Sequence, residues 1–233
     1  MTAAARPRRA TTPPPLENGD HLDQRTFHAR YQAMPEDCRA ELIGGIVYMA
    51  SLKKVPHSKA HRLVVHWLDE YTEATPGTEA LINNTQILGP DSEPEPDACL
   101  FVAPEYGGQV RVVEDEYLHG APELIVEVSS STESIDLNRK KQDDQKAGVR
   151  EYVVLALRTQ QVFWFVRRRG KYQEVPLPAD GVFRSREFPG LWLDAEAILR
   201  NQRQRVLAAL KRGLATPEHE AFVAKLRKRA SKK

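Results

Sequence analysis

The chain of 233 residues lacks several things, and each absence closes a class of explanation. No apolar run approaches the ~18 residues that a membrane-crossing helix needs. The opening stretch, MTAAARPRRATTPPP, has no apolar centre and does not read as a secretory leader. Cysteine is scarce: Cys38 and Cys99 are the only two and form no CxxC pair, so a disulfide framework and a four-cysteine zinc site are both ruled out. Both thiols are expected as small core fillers in a reducing, cytoplasmic compartment. A strong charge of one sign is also missing, because the formal net charge of +2 does not by itself call for a polyanionic partner. What remains is an ordinary globular composition, 41% hydrophobic and 28% charged, with no visible internal repeat. The length suits one sizeable domain, expected at 21–212, between a disordered arm (1–20) and a basic tail (213–233).

Along the chain, strand and helix patterns mix. A short helix is expected from Thr26 to Ala33, capped by Thr26. AELIGGIVYMAS (40–51) reads as two strands around the Gly44-Gly45 turn. Leu63, Val64, Trp67, Leu68 and Tyr71 recur at helical spacing within 59–77, and 78–88 alternates as a strand. DACLFVA (97–103) and ELIVEVS (123–129) read as buried strands, separated by an acidic excursion. Residues 130–148 carry helix-start signals at Ser134 and Asp136 and a stop at Gly148. REYVVLAL, QQVFWFVR and KYQEVPL form a meander, and a last amphipathic helix is expected from about Ala195 to Leu210. The fold class is therefore α/β (α+β): a mixed sheet flanked by helices, with a C-terminal β-meander and terminal helices.

Three residues stand out against this frame. Asp97 sits at the mouth of one strand, behind a run of acids alternating with proline and serine (DSEPEPD). Glu127 interrupts the apolar strand LIVEVS, and Lys140 falls on the following helix. A carboxylate inside a strand covered on both faces is buried and must find a partner. Two carboxylates on neighbouring strand ends make a hard-oxygen site suited to Mg²⁺ or Mn²⁺, and a lysine nearby stabilises charge that develops on a phosphate. The bland alternatives are a solvated loop for Asp97, an ion pair of Glu127 with Arg139 or Arg150, and a solvated helix face for Lys140.

The segments AELIGGIVY, EPEPDA, PELIVEVSSS, GVREYVV, FPGLWLD and GLATPEHEAFV together resemble the Uma-type endonuclease family, over about His21 to Val223. That family belongs to the PD-(D/E)XK restriction-endonuclease-like superfamily. The resemblance implies a metal-dependent endonuclease, with Asp97 and Glu127 as ligands of Mg²⁺ or Mn²⁺, Lys140 as the active-site lysine, Glu41 in a supporting acidic role, DNA as substrate, and a homodimer. The superfamily's usual lysine lies two residues after the second carboxylate, where this chain has Ser129; the Uma-type pattern moves it to the helix. KKQDDQK offers no apolar face, so weak packing of that helix is expected, with Lys141 as a competitor to Lys140. Two other readings stand beside this one: a catalytically idle nucleic-acid-binding or assembly protein on the same fold, and a module using the acidic connection 105–118 without any nucleic acid. RRRGK (167–171) is a candidate phosphate contact through Arg167, Arg168, Arg169 and Lys171. His57 and His61 have zinc-compatible spacing, but a third ligand is missing.

Overall fold

The computed structural model of the chain describes residues 13–50 and 52–231. Helix α1 (Gln24–Tyr31) is capped by Asp23, whose carboxylate accepts from the Thr26 amide at 2.7 Å. The cap expected at Thr26 thus lies three residues earlier, where extended backbone aims an oxygen at the free amides of the first turn. Strands β1 (Ala40–Ile43) and β2 (Ile46–Met49) form the expected hairpin, and Gly44 and Gly45 take φ of 56° and 77° in its turn. Helix α2 (Val55–Ala74) begins ahead of Lys59, because Pro56 in the first turn has the right φ and no amide to satisfy. The strand expected over 78–88 is broken by Asn83 at φ 45° into β3 (Thr78–Ile82) and β4 (Gln86–Ile87).

Strand β5 (Ala98–Val102) follows the acidic stretch. The excursion after it holds β6 (Arg111–Val112) and β7 (Leu118–His119), which join β4 in a small three-stranded sheet. After β8 (Leu124–Ser129) the expected helix arrives in three pieces: α3 (Glu133–Ile135), a π-helical turn (Asp136–Lys140) and α4 (Lys141–Ala147). Strands β9 (Glu151–Ala156), β10 (Gln161–Arg168) and β11 (Lys171–Glu174) are the meander. A hairpin of β12 (Val182–Arg184) and β13 (Trp192–Asp194) was not legible as a pair. The last expected helix divides at Asn201, φ 53°, into α5 (Ala195–Leu199) and α6 (Arg203–Leu214).

The two terminal expectations need correction. Residues 1–12 lie outside the described residues, but Leu16 is buried and Gly19 donates to the Val47 carbonyl at 2.8 Å, so 13–20 packs on the β1–β2 hairpin. In place of a basic tail stands helix α7 (Pro217–Ala230), capped by Thr216. Leu226 is fully buried and Phe222 meets the Phe188 ring edge-on, so apolar positions among the basic ones anchor it.

The main sheet runs β11-β10-β9-β8-β5-β3, with β8 and β9 parallel and every other pair antiparallel. Leu124, Val126 and Val128 face one core with Leu63, Val64, Trp67 and Leu68 of α2, while Ile125 faces the other with Tyr152 and Val154. Strand alternation therefore aims Glu127 at the α3–α4 side. The parallel β8–β9 pair requires a crossover, and the π-helical turn lies within it. No helix among the described residues is long and apolar enough to cross a membrane.

Candidate active site

Asp97 and Glu127 come from adjacent antiparallel strands at one end of the sheet, where Ala98 pairs with Val126. The Val128 amide donates to Asp97 Oδ2 at 2.9 Å, and the Asp97 amide reaches toward Glu127 Oε2 at 3.5 Å. The π-helical turn delivers Lys140 to the same place. Its Nζ donates to Glu41 Oε1 at 2.6 Å and forms an ion pair with Glu127 Oε1 at 2.9 Å. A π turn is a rare feature that frequently occurs at functional sites. Here Ser129 Oγ and Thr132 Oγ1 donate to Asp136 Oδ2 at 2.5 and 2.6 Å, and the Tyr152 hydroxyl donates to the Asp136 carbonyl at 2.9 Å. Asp97, Glu127, Lys140 and Glu41 line one cavity of about 140 Å³, together with Lys53, His57 and Asp136 among others. All four residues singled out in the sequence are thus brought together, and Lys140 rather than Arg139 or Arg150 is the partner of Glu127.

Burial sets the protonation of this cluster. Lys140 is 3% exposed. Burial alone would strip its proton, but Glu127, Glu41 and Asp136 outweigh it and hold the ammonium well above its ordinary pKa. Glu127 goes the other way: burial pushes its carboxyl well up, Lys140 opposes, and the neighbouring charges of Asp136, Asp97 and Glu41 add to the rise. Asp97 is also disfavoured by burial, yet the His57 hydrogen bond, the charges of Lys53 and His57 and the Val128 amide hold its carboxyl well below the usual range. Glu95, above Glu41, is raised by burial and by the Glu41 charge.

Two partners of Asp97 escaped the sequence reading. Lys53 Nζ stands 3.0 Å from Asp97 Oδ1, and His57 Nε2 lies 3.3 Å from the same oxygen. His61 Nε2 contacts the Asp97 carbonyl oxygen at 2.8 Å. The two histidines therefore serve Asp97, and their four-residue spacing was the available signal. Glu93 leaves the site altogether, taking Gln24 at 2.7 Å and His28 at 2.8 Å.

Helix α4 is not weakly packed. Asp143 accepts from the Gly44 amide at 3.1 Å, and Asp144 is fully buried with its carboxyl pushed well up by burial. Burial drives this carboxyl toward its neutral form, which costs less in an apolar interior than the charged one. Lys141 does not compete for the site, because its Nζ lies 4.3 Å from the centre of the Phe165 ring. RRRGK is not at this end of the sheet. Glu127 is level with Val154 and Phe163, whereas the β10–β11 turn pairs Arg168 with Lys171. Five residues of strand separate the two levels, roughly 17 Å. Arg167 is also committed elsewhere, its Nε donating to the Gln145 carbonyl at 2.9 Å.

The Uma2 family, described as "Putative restriction endonuclease", matches residues 26–196. The chain belongs to this family. A crystal structure described as a putative nuclease belonging to DUF820, from Anabaena variabilis, aligns with a TM-score of 0.58 at 17% identity, covering 73% of this chain and 97% of that one. At that identity the likeness is one of fold, and the fold is restriction-endonuclease-like. No curated protein matches the sequence. Restriction-endonuclease-like families generally use divalent metals. Among the described residues of this Uma2 chain, no group of three or more His, Cys, Asp or Glu side chains forms a metal cage. Two carboxylates on a solvent-reachable wall do suit Mg²⁺, which keeps several waters and takes one or two carboxylates plus phosphate oxygens. Burial comes first in raising the Glu127 carboxyl and the charges of Asp136, Asp97 and Glu41 add to it, so a cation placed among these acids would favour its ionised form.

Proposed function

We propose that the chain is a divalent-metal-dependent endonuclease hydrolysing phosphodiester bonds in nucleic acid, with DNA as the substrate class. One observation carries the reading: Asp97, Glu127 and a buried, charged Lys140 converge on the wall of one cavity. Asp97 and Glu127 would hold Mg²⁺ or Mn²⁺, which when bound supplies Lewis acidity toward a phosphoryl oxygen and toward water. Lys140 stays an ammonium throughout the ordinary pH range, so it is not the general base. Its role is to stabilise negative charge on the phosphate, at a point fixed in advance by Glu41 and Glu127. The Val128 amide holds Asp97 in place, and Glu41 is a positioning residue acting through Lys140. In the reaction the oxygen of water bonds to phosphorus and the bond to one sugar oxygen breaks. That oxygen leaves with the electron pair and takes up a proton, the water having lost one, so no redox partner is needed.

Supercoiled plasmid, single-stranded circular DNA and RNA, each incubated with purified protein in Mg²⁺, Mn²⁺ or EDTA, test the proposal. Metal-dependent cutting of DNA supports it. Three intact substrates in both metals sink it, and cutting that persists in EDTA removes the ion from it.

A further inference from the structure

The cavity explains chemistry at one phosphate but not how a long polyanion is held, and the RRRGK turn lies at the far end of the sheet. Residues 52–68, LKKVPHSKAHRLVVHWL, contain no Asp or Glu. They carry Lys53, Lys54, Lys59 and Arg62, all exposed, while the acids of α2, Asp69, Glu70 and Glu73, begin only in its second half. This polarity is backwards for a helix. The first turn has no acid and the last turn no base, whereas the helix dipole favours acids at the start and bases at the end. Among the described residues, Lys54, Lys59 and Arg62 form no ion pair, so the arrangement does not serve an internal partner. A local choice that works against helix stability marks a functional surface.

The stripe starts at the rim of the cavity. Lys53 reaches Asp97 itself, and His57, in the first turn of the helix, lines the cavity wall with a side chain only 8% exposed. His57 Nδ1 is buried with no hydrogen-bond partner among the described residues, a donor or acceptor left for something that enters. The helix start is open too, since Lys54 at the N-cap makes no side-chain cap. From Lys54 to Arg62 the axis runs roughly 12 Å, the rise of three to four nucleotides along one strand. Apolar Leu52 and Val55, 97% and 66% exposed, stand among the lysines, which suits sugar and base contacts better than free phosphate.

We propose that Lys54, Lys59 and Arg62 on the first three turns of α2 form the nucleic-acid backbone track, leading the strand to the cavity at Asp97. This rests on the nuclease reading and assigns its partner surface to α2 instead of the RRRGK turn.

The test is fluorescence anisotropy of a fluorescein-labelled DNA duplex and single strand, in EDTA and in Ca²⁺, across a salt series. Wild type is compared with K54E/K59E/R62E and with R168E/R169E/K171E. The α2 variant should bind at least roughly tenfold more weakly, with a salt slope lower by about two to three, close to one per lost phosphate contact. Its Tm should be unchanged or higher, because the new acids agree with the helix dipole. The turn variant should bind as wild type does. If wild type binds and the α2 variant binds equally, this inference falls and the nuclease reading stands. If wild type binds no nucleic acid, both fall. Binding of the α2 stripe to anionic phosphatidylserine vesicles, with no binding to DNA, would assign the surface to a membrane and overturn the proposal.

Discussion

Replacing Lys140 by methionine removes the cation that Glu41 and Glu127 share, at nearly constant volume. Lys140 lies 2.6 Å from Glu41 and 2.9 Å from Glu127, and Glu127 is 4% exposed. Breaking a buried pair by deleting one partner costs about 3–5 kcal/mol when the charge left behind stays ionised. Glu127 has an escape, because burial already raises its carboxyl well above the ordinary value and protonation removes the charge. A raised acid favours the folded state while protonated, and that advantage is lost as pH climbs through its folded pKa. Protonation costs about 1.4 kcal/mol for each pH unit above that value. The destabilisation of Lys140→Met should therefore grow with pH between about pH 5 and about pH 8, toward the roughly 3–5 kcal/mol of a stranded buried charge. Urea denaturation of both proteins across this range reads it from the midpoints at constant m. Adding Glu127→Gln should recover most of the loss, since a neutral pair carries no stranded charge. A destabilisation independent of pH, or below about 1 kcal/mol at pH 8, refutes the reasoning.

Glu151 offers a second pH test away from the site. Burial raises its carboxyl to about 7 against the hydrogen bonds from Ser185 and Arg186, so stability should fall as pH rises from about 4.5 to about 7. Glu151→Gln should flatten that part of the Tm–pH curve, and an unchanged slope assigns the pH dependence to other groups. Asp144 has no hydrogen-bond partner for either carboxyl oxygen among the described residues. Asp144→Leu should be neutral or stabilising by about 1 kcal/mol in urea, whereas a loss above about 2 kcal/mol would mean that the carboxyl is satisfied. At Gly108 a Cβ would fall 1.6 Å from the Val102 carbonyl oxygen. Gly108→Ala should cost on the order of 3 kcal/mol, visible as a lowered Tm, and an unchanged Tm would contradict the close approach.

The site was legible where residue type and strand context disagreed. A lone glutamate in LIVEVS points to a buried carboxylate from pattern, whereas Asp97 at the mouth of DACLFVA also read as a solvated loop until the family resemblance favoured the site. The supporting shell was not legible in that way, because Lys53 and His57 become partners of Asp97 only when α2 packs across β5 and β8. Helix α4 misled for a definite reason: an aspartate counts as polar in a periodicity reading, yet Asp144 is buried with a raised carboxyl and fills an apolar position. The basic count in KLRKRASKK likewise hid Leu226, which together with Phe222 and His219 seats α7. RRRGK attracted attention because its charges are adjacent. The charges of α2 are spread over three turns and become one face only on the helix.

The measurement that bears most directly on the site is Mn²⁺ binding, read from loss of the free-ion electron paramagnetic resonance signal in wild type, Asp97→Asn and Glu127→Gln. One ion per chain in wild type, lost in both variants while Tm and fold are kept, is the predicted result. Wild type that binds no ion, or a variant of either carboxylate that binds it unchanged, contradicts the claim that Asp97 and Glu127 hold the ion between them.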